Sequence, residues 1–208
     1  MSKPVLRRRD ERSAGFGLRA VLLAQENPPS PPLTIPNPPE HPDVVKKGGW
    51  DSILFESFTV EDAWELGHLL YARLLPFSSQ TPTLVSISLA NSGQVLFQCA
   101  VGSGTAPDNE LWVQRKRSTV LRFGTSTWFQ HCKYAGDEEA FKAKFGLGPE
   151  QYGKYAIHGG GVPIRVKGVE GVVAVVVVSG MRQQDDHGVI FDVIHSNWES
   201  SIEGIQST

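Results

Sequence analysis

The sequence contains little cysteine, no excess of charge of either sign and no long apolar run. Two cysteines among 208 residues, Cys99 and Cys132, are too few for a disulfide scaffold and have no zinc or redox spacing, so we expect buried free thiols. A formal net charge of −2 gives no basic footprint for nucleic acid. The longest apolar run, from Val172 to Val178, is far shorter than the ~20 residues of a membrane-spanning helix. We therefore expect no membrane span and assign this run to a strand buried on both faces.

Sequence motifs that would identify a catalysed reaction are also absent. The sequence contains no GxSxG nucleophile elbow and no phosphate-binding P-loop. Its glycine-rich segment does not have the GxGxxG spelling of a dinucleotide site and follows no strand-to-helix turn. The sequence therefore assigns no catalytic residue.

The first 47 residues are rich in proline and in basic side chains. Nine of the 14 prolines lie in the first 42 residues. Because proline lacks an amide donor and fixes φ, residues 27–42 are expected to form an extended, polyproline-like linker. The chain then divides into a disordered tail and linker at 1–47, one folded domain at 48–200 and a flexible C-terminus at 201–208. The tail has two interpretations. It is a disordered segment of a cytoplasmic protein, or it is a mitochondrial presequence.

The spacing of apolar residues changes along the domain from strand to helix and back. Thr59 and Asp62 have the spacing of a capping box, which opens a helix. The predicted strands are 52–58, 83–89, 94–101, 162–167 and 172–179. One predicted helix begins at residue 59, and four others span 107–123, 126–134, 138–145 and 183–198. Two of the strand pairs are hairpins, which pair antiparallel. We therefore predict an α+β domain with a central, mostly antiparallel sheet of about five strands flanked by helices.

Positive charge is concentrated in the segment 107–124. On a helix, Asp108, Arg115 and Arg122 recur every seven residues and share one stripe, while Lys116 lies on an adjacent one. This pattern is either a solvated face or a cationic wall for a carboxylate or propionate, since arginine binds such groups with two parallel hydrogen bonds. The second interpretation predicts a small anionic ligand.

Two further segments carry polar chemistry. His158 precedes Gly159, Gly160 and Gly161, whose amides either form an anion-binding nest beside the histidine or permit a tight strand crossing. Asp186 and His187 lie at the start of the last helix, where the helix dipole favours carboxylates whatever the function. Adjacent side chains point in different directions there, so we expect no metal.

Two classes of function fit these segments. One is a small-molecule site where the basic helix, the glycine loop and the acidic turn meet. The other is an oligomeric adaptor, in which Trp112, Trp128 and Phe129 would lie at a contact between subunits. The candidate ligand-binding residues are Asp108, Asn109, Arg115, Lys116, Arg117, Arg122, His158, Gly159, Gly160, Gly161, Asp186 and His187.

Four groups of residues, in this order, carry a family resemblance. They are Phe58-Thr59 with Asp62 to Gly67, Pro107 to Asn109 with Trp112, Arg115 to Arg117 and Arg122 to Gly124, His158 to Ile164, and Val178 to Gly180 with Gln184 to His187. Together they resemble an uncharacterised family of bacterial and fungal proteins that groups with the haem-degrading HbpS and GlcG proteins. The resemblance covers residues 52–198.

This resemblance implies a profilin-like, three-layer α/β/α domain in a cytosolic homo-oligomer. It makes haem the cofactor to test, because some wider relatives bind haem and promote its oxidative breakdown, while others accompany small-molecule pathways. The matched motifs do not carry haem ligation in those relatives. Residue chemistry would give His158 the contact to haem and Lys116 or Arg117 the contact to a propionate. Fungal relatives have been linked with targeting of tail-anchored membrane proteins, which is the adaptor alternative.

Overall fold

The structure, a computed structural model, describes residues 4–9 and 14–201 and contains both strands and helices. The strands are β1 (Leu6–Arg8), β2 (Ile53–Phe55), β3 (Thr83–Leu89), β4 (Val95–Val101), β5 (Gly161–Val166), β6 (Ala174–Ser179) and β7 (Trp198–Ser200). The helices are α1 (Phe16–Glu26), α2 (Pro42–Lys47), α3 (Val60–Leu74), α4 (Pro107–Phe123), α5 (Thr127–Lys133), α6 (Glu138–Lys144) and α7 (Gln183–Asn197).

One seven-stranded sheet runs through the molecule in the order β4-β3-β6-β5-β2-β1-β7. The pairs β3–β4, β3–β6, β5–β6 and β1–β7 are antiparallel, whereas β2 is parallel to both β1 and β5. The predicted α+β fold with a mostly antiparallel sheet is confirmed. The count of about five strands is too low, because β1 and β7 are only three residues long and carry no alternation that would reveal them.

Strand β6 is buried on both faces of the sheet, as its uninterrupted apolar run predicts. Val176 and Val178 join the main core with helices α3 and α7, while Val175 and Val177 pack with Val113 and other residues under α4 on the opposite face. Successive side chains of a strand point to opposite faces, so one run of valines fills both layers. Helices α3 and α7 on one side and α4 on the other complete three layers.

The start of α3 follows the predicted capping box. Thr59 Oγ1 accepts a hydrogen bond from the Asp62 amide, and Asp62 Oδ2 accepts one from the Thr59 amide at 2.8 Å. These two bonds satisfy amide groups that the first helical turn leaves without partners. Asp62 also pairs with Arg8, which ties β1 to the start of the helix.

The N-terminal segment corrects the expectation of a disordered tail and linker at 1–47. Its described residues contain β1, α1 and α2, and the side chains of Leu6, Val21, Ile35 and Val45 are buried. Residues 28–40 form neither helix nor strand, but Ile35 among them is buried in the main core of the domain. An apolar residue every ten to fifteen positions supplies the anchors that the proline pattern concealed.

Carbonyl groups hold the proline-rich segment 28–40 in place, because proline lacks an amide donor but keeps its carbonyl acceptor. Trp128 Nε1 donates to Pro39 O at 2.8 Å, and Arg73 donates to the carbonyls of Leu33 and Thr34. Gly188 on α7 allows Pro36 O to approach so closely that a Cβ there would collide with it.

Three further expectations concern membrane crossing, the cysteines and the C-terminus. Among residues 4–9 and 14–201, no helix combines the length and the hydropathy needed to cross a bilayer. Both cysteines are free, and both are partly rather than fully buried. The C-terminus predicted to be flexible lies, apart from its first residue, outside the described residues.

Candidate functional site

A cleft of about 290 Å³ opens where α4, the loop before β5 and the turn from β6 to α7 meet. We call it the central cleft. Its lining residues are Asp108, Asn109, Trp112, Lys116, His158, Ser179, Gly180, Met181, Gln183 and Asp186. The structure therefore brings together the basic helix, the histidine and the acidic turn, which are distant in sequence.

A buried ion pair forms the floor of the central cleft. Lys116 Nζ lies 2.9 Å from Asp186 Oδ2 and donates a second hydrogen bond to Val178 O at 3.0 Å. Each side chain of the pair is 3% exposed. The carboxylate also accepts hydrogen bonds from the amides of Gly180 and Met181. Burial raises the pKa of Asp186, while Lys116 and the two amides act in the opposite direction.

The outer wall of the cleft is an aromatic side chain fixed on both sides. Trp112 Nε1 donates to Asp108 Oδ2 at 3.0 Å, one turn earlier on α4. The Arg115 guanidinium lies over the indole ring, 4.3 Å from its centroid, and donates to Tyr155 O. His158 meets the same ring edge-on, with 4.9 Å between centroids. These three contacts fix the orientation of Trp112 as a wall of the cleft.

His158 has a carboxylate partner behind it. Its Nδ1 lies 3.2 Å from Glu138 Oε1, at the start of α6, although the two groups are not aligned as a hydrogen bond. Burial lowers the pKa of His158, Glu138 raises it, and Lys116 and Arg115 lower it further. Since the net direction is downward, the imidazole is neutral near pH 7.

The three glycines permit close packing and do not form a nest open to the cleft. The Gly161 amide donates to Thr127 Oγ1 at 2.9 Å, and the Gly159 amide donates to Gln183 Oε1 at 3.3 Å. Gly160 has a φ of 110°, and a Cβ there would lie 2.9 Å from Lys116 Nζ and 2.8 Å from Asp186 Cβ. Of the two interpretations, the geometry favours the tight crossing over the ion pair.

The predicted cationic wall is not present. Arg117 donates to Ser86 Oγ on β3 at 2.8 Å, and Arg122 stacks on the ring of Tyr155, so neither lines the cleft. Arg115 packs on the back of the wall rather than facing the cleft. Successive residues on a helix turn by about 100°, so a cluster in sequence spreads around the axis. Lys116 is the basic residue of this cluster that lines the cleft.

His187 is a core residue and does not reach the cleft. It is completely buried, and its Nε2 lies 2.8 Å from Trp50 O. Burial lowers the pKa of His187 to about 3. Trp128, expected at a subunit contact, is 1% exposed within a single chain and cannot serve there, whereas Trp112 and Phe129 are partly buried. Within the described part of the chain, no three His, Cys, Asp or Glu side chains cluster to hold a metal.

Sequence reasoning missed several cleft residues. Ser179, Met181 and Gln183 join the lining because the turn from β6 to α7 carries them there. Gln183 is oriented at both ends of its amide, by the Gly159 amide and by His131 Nε2 at 3.4 Å from its Nε2. The sequence did not indicate a role for Glu138 either, because a glutamate at the start of a helix is explained by the helix dipole alone.

Comparisons with known proteins match the part of the chain that contains the central cleft. The family model described as "Haem degrading protein HbpS-like" matches residues 58–195. A UPF0303 protein of Streptomyces avermitilis is 36% identical over 148 residues, which cover 69% of this chain and 85% of that protein. The UPF0303 protein YBR137W of Saccharomyces cerevisiae is 36% identical over 131 residues, covering 63% and 70% of the two chains.

Two crystal structures share the fold. That of the Ybr137w protein has a TM-score of 0.61 at 33% identity and covers 69% of this chain and 80% of its own. That of HbpS has a TM-score of 0.50 at 19% identity, with 67% and 89% covered, and supports the fold alone. The family match begins after β2, so the N-terminal elements lie outside it.

Proposed function

The chain belongs to the HbpS-like family, and from that premise we propose that it binds a small, polar, uncharged molecule in the central cleft. The observation that carries this proposal is the buried ion pair of Lys116 and Asp186 at the floor of an open cleft. A buried pair of this kind costs desolvation energy and contributes little net stability. A binding role would account for keeping it under a surface opening.

The charges of the lining favour an uncharged ligand. Lys116 is neutralised by Asp186, Asp108 adds a carboxylate, and His158 is neutral near pH 7. The cleft thus offers no free cation for the small anion that the sequence suggested. Amide and hydroxyl groups of Asn109, Gln183 and Ser179 supply the donors and acceptors that an uncharged polar molecule needs.

Haem does not fit this lining. A macrocycle needs a largely apolar slot and cations for its propionates, whereas Trp112 and Met181 are the apolar side chains among the cleft residues. Arg117 is bound to Ser86, and Lys116 is paired with Asp186. A cleft of about 290 Å³ also lies at the lower end of the size range of ligand pockets. We therefore assign the central cleft to a smaller ligand.

Ligand binding can be measured by saturation-transfer NMR on the full chain with glycerol and acetate as probes. Glycerol is expected to bind with a millimolar Kd, roughly −4 kcal/mol, and Gln183→Ala should weaken it at least fivefold. His195→Gln, an exposed change on the far end of α7, serves as the control. Haemin is titrated in parallel through its Soret band. If acetate or haemin bound saturably and lost affinity in Gln183→Ala while glycerol did not bind, the proposal would be wrong.

Assembly into a homo-oligomer is the second candidate, and strand β4 favours it. Within the described residues β4 pairs with β3 alone and forms the edge of the sheet, and Val95 is 47% exposed. A seven-residue edge strand can pair with another copy of itself. Light scattering of the wild-type chain and of Ala100→Lys on β4 tests this: a larger species that the lysine dissociates is expected, and a monomer in both would contradict it.

Two finer expectations of the family resemblance stay predictions. They are a cytoplasmic location and an adaptor role in targeting tail-anchored membrane proteins. The adaptor role draws on the same β4 edge, since an oligomeric scaffold needs a surface for self-association.

A further inference from the structure

We propose that His158 acts as a general base on a small, uncharged α-hydroxy carbonyl compound held in the central cleft. This inference rests on the proposed binding function and adds a reaction and a substrate class to it. It is carried by two observations: His158 and Lys116 line the same cleft, and the Glu138 carboxylate lies 3.2 Å from His158 Nδ1.

The two ring nitrogens of His158 differ in their surroundings. Nδ1 is enclosed and lies 3.2 Å from Glu138 Oε1, while the side chain as a whole is 43% exposed and borders the cleft. A carboxylate behind Nδ1 favours the tautomer with its proton there, which leaves the Nε2 lone pair for a molecule in the cleft. The ring is held edge-on against Trp112, and this contact fixes its orientation.

The surrounding charges keep the imidazole ready to accept a proton near pH 7. The groups that face it are Glu138 on α6, Lys116 and Arg115 on α4, and His131 on α5. Burial and the two cations lower the pKa of His158, and the carboxylate partly offsets them. A base whose pKa lies near or below the working pH is largely unprotonated.

Lys116 provides a place for the carbonyl oxygen. An ammonium group has three hydrogen-bond donors, and Val178 O and Asp186 Oδ2 use two of them. Lys116 lines the cleft, so its third donor is the one available to an oxygen bound there. A donor fixed in a site of low dielectric stabilises negative charge that develops on that oxygen.

The proton transfer balances without a further reactant. His158 Nε2 takes a proton from the carbon that bears both hydrogen and hydroxyl next to the carbonyl. The electron pair of the broken C–H bond forms a C=C bond, and the carbonyl electrons move to the oxygen beside Lys116, giving an enediolate. Return of a proton from His158 to the same carbon, after exchange of the Nε2 proton with solvent, regenerates the starting compound with exchanged hydrogen. Return to the neighbouring carbon gives the isomeric hydroxy carbonyl compound once the hydroxyl proton of the enediolate has passed to the oxygen beside Lys116.

Exchange of carbon-bound hydrogen in D₂O tests this step directly. Dihydroxyacetone is the probe, and its CH₂ signal is followed by proton NMR with the full chain, while saturation transfer reports binding in the same sample. The wild-type protein is expected to accelerate loss of the signal at least ~100-fold over buffer, the lower end of the usual contribution of a general base. His158→Gln should abolish that acceleration and retain binding, and His195→Gln should leave both unchanged.

Glu138→Gln separates a positioning role from a merely structural one. Because the carboxylate raises the pKa of His158, its loss should move the acidic limb of the rate profile to lower pH as well as reduce the maximal rate. Binding of dihydroxyacetone with no acceleration, or with the same acceleration in His158→Gln, would overturn the catalytic inference and leave the binding proposal standing. Failure of both glycerol and dihydroxyacetone to bind would overturn both.

Discussion

Lys116 and Asp186 are 70 residues apart in the chain, yet their side chains meet at 2.9 Å in the interior and bind one another beneath the central cleft. The pair joins the two helical layers, because Lys116 belongs to α4 and Asp186 to α7, on opposite faces of the sheet. Val178 O, near the end of strand β6, accepts from the same ammonium. The floor of the cleft is thus built from all three layers of the domain.

Replacing one member of this pair should destabilise the fold strongly. Lys116→Met leaves the Asp186 carboxylate buried without its cation, which is expected to reduce the free energy of unfolding by about 3–5 kcal/mol. The double variant Lys116→Met/Asp186→Asn removes both charges and retains an acceptor for the Met181 amide, so it should recover more than half of that loss. Urea unfolding followed by circular dichroism measures both. Equal losses in the single and double variants would show that the charge imbalance is not the cause.

A methyl group at Gly160 should be as harmful as loss of an ion-pair member. The residue has a φ of 110°, and a Cβ would collide with Val178 O besides crowding Lys116. Gly160→Ala is therefore expected to cost about 3 kcal/mol or more, through strain and overpacking together. Gly168→Ala is the matched control, because its φ of 77° is also positive but open space surrounds it. Equal unfolding midpoints for the two variants would contradict the close packing over the ion pair.

The elements with strong local signals could be predicted from the sequence almost to the residue. Strand β3 (Thr83–Leu89) and helix α4 (Pro107–Phe123) have the predicted bounds, because alternation, a proline at the first helical position and a terminal glycine act locally. Strands β1 and β7 escaped detection, since three residues show no period. Their place in the sheet is decided by neighbours such as β2, far away in sequence.

The site was predictable as a meeting of segments but not as a set of side chains. Lys116 and Arg117 are adjacent and chemically alike in sequence, yet one lines the cleft and the other binds Ser86 on β3. The position of α4 around its own axis decides which faces the cleft, and that follows from packing of Val113 and Val120 on the sheet. The pairing of His158 with Glu138 likewise depends on where tertiary packing positions helix α6.

Removing the Arg73 side chain should release the proline-rich segment 28–40. Arg73 on α3 donates to Leu33 O and Thr34 O and pairs with Asp192 at 2.8 Å. Arg73→Ala removes all three contacts, so the segment 28–40 should open more often and be cleaved at least tenfold faster by a protease of broad specificity. Mass spectrometry of the fragments locates the cuts. Cleavage elsewhere, or the same acceleration in the control Arg122→Ala, would show that Arg73 does not anchor this segment.

Acid should destabilise the protein through His187, whose environment excludes a charge. Burial lowers the pKa of His187 to about 3 in the folded protein, whereas the unfolded chain has the ordinary value of 6.5. Between these values the unfolded state binds one more proton than the folded state. Stability is therefore unaffected by this group above pH 6.5 and falls by about 1.4 kcal/mol per pH unit below it.

His187→Gln isolates this contribution from that of the other titrating groups. The glutamine amide stays neutral and can still donate to Trp50 O, as His187 Nε2 does at 2.8 Å. Urea unfolding at pH 4, 5, 6 and 7 should show a shallower loss of stability in the variant, the difference approaching one proton between pH 4 and 5. Asp186 titrates in both proteins, so its effect cancels in the comparison. Parallel pH profiles would contradict the prediction, because they would mean that His187 takes up its proton in the folded state despite its complete burial beside Trp50 and Phe191.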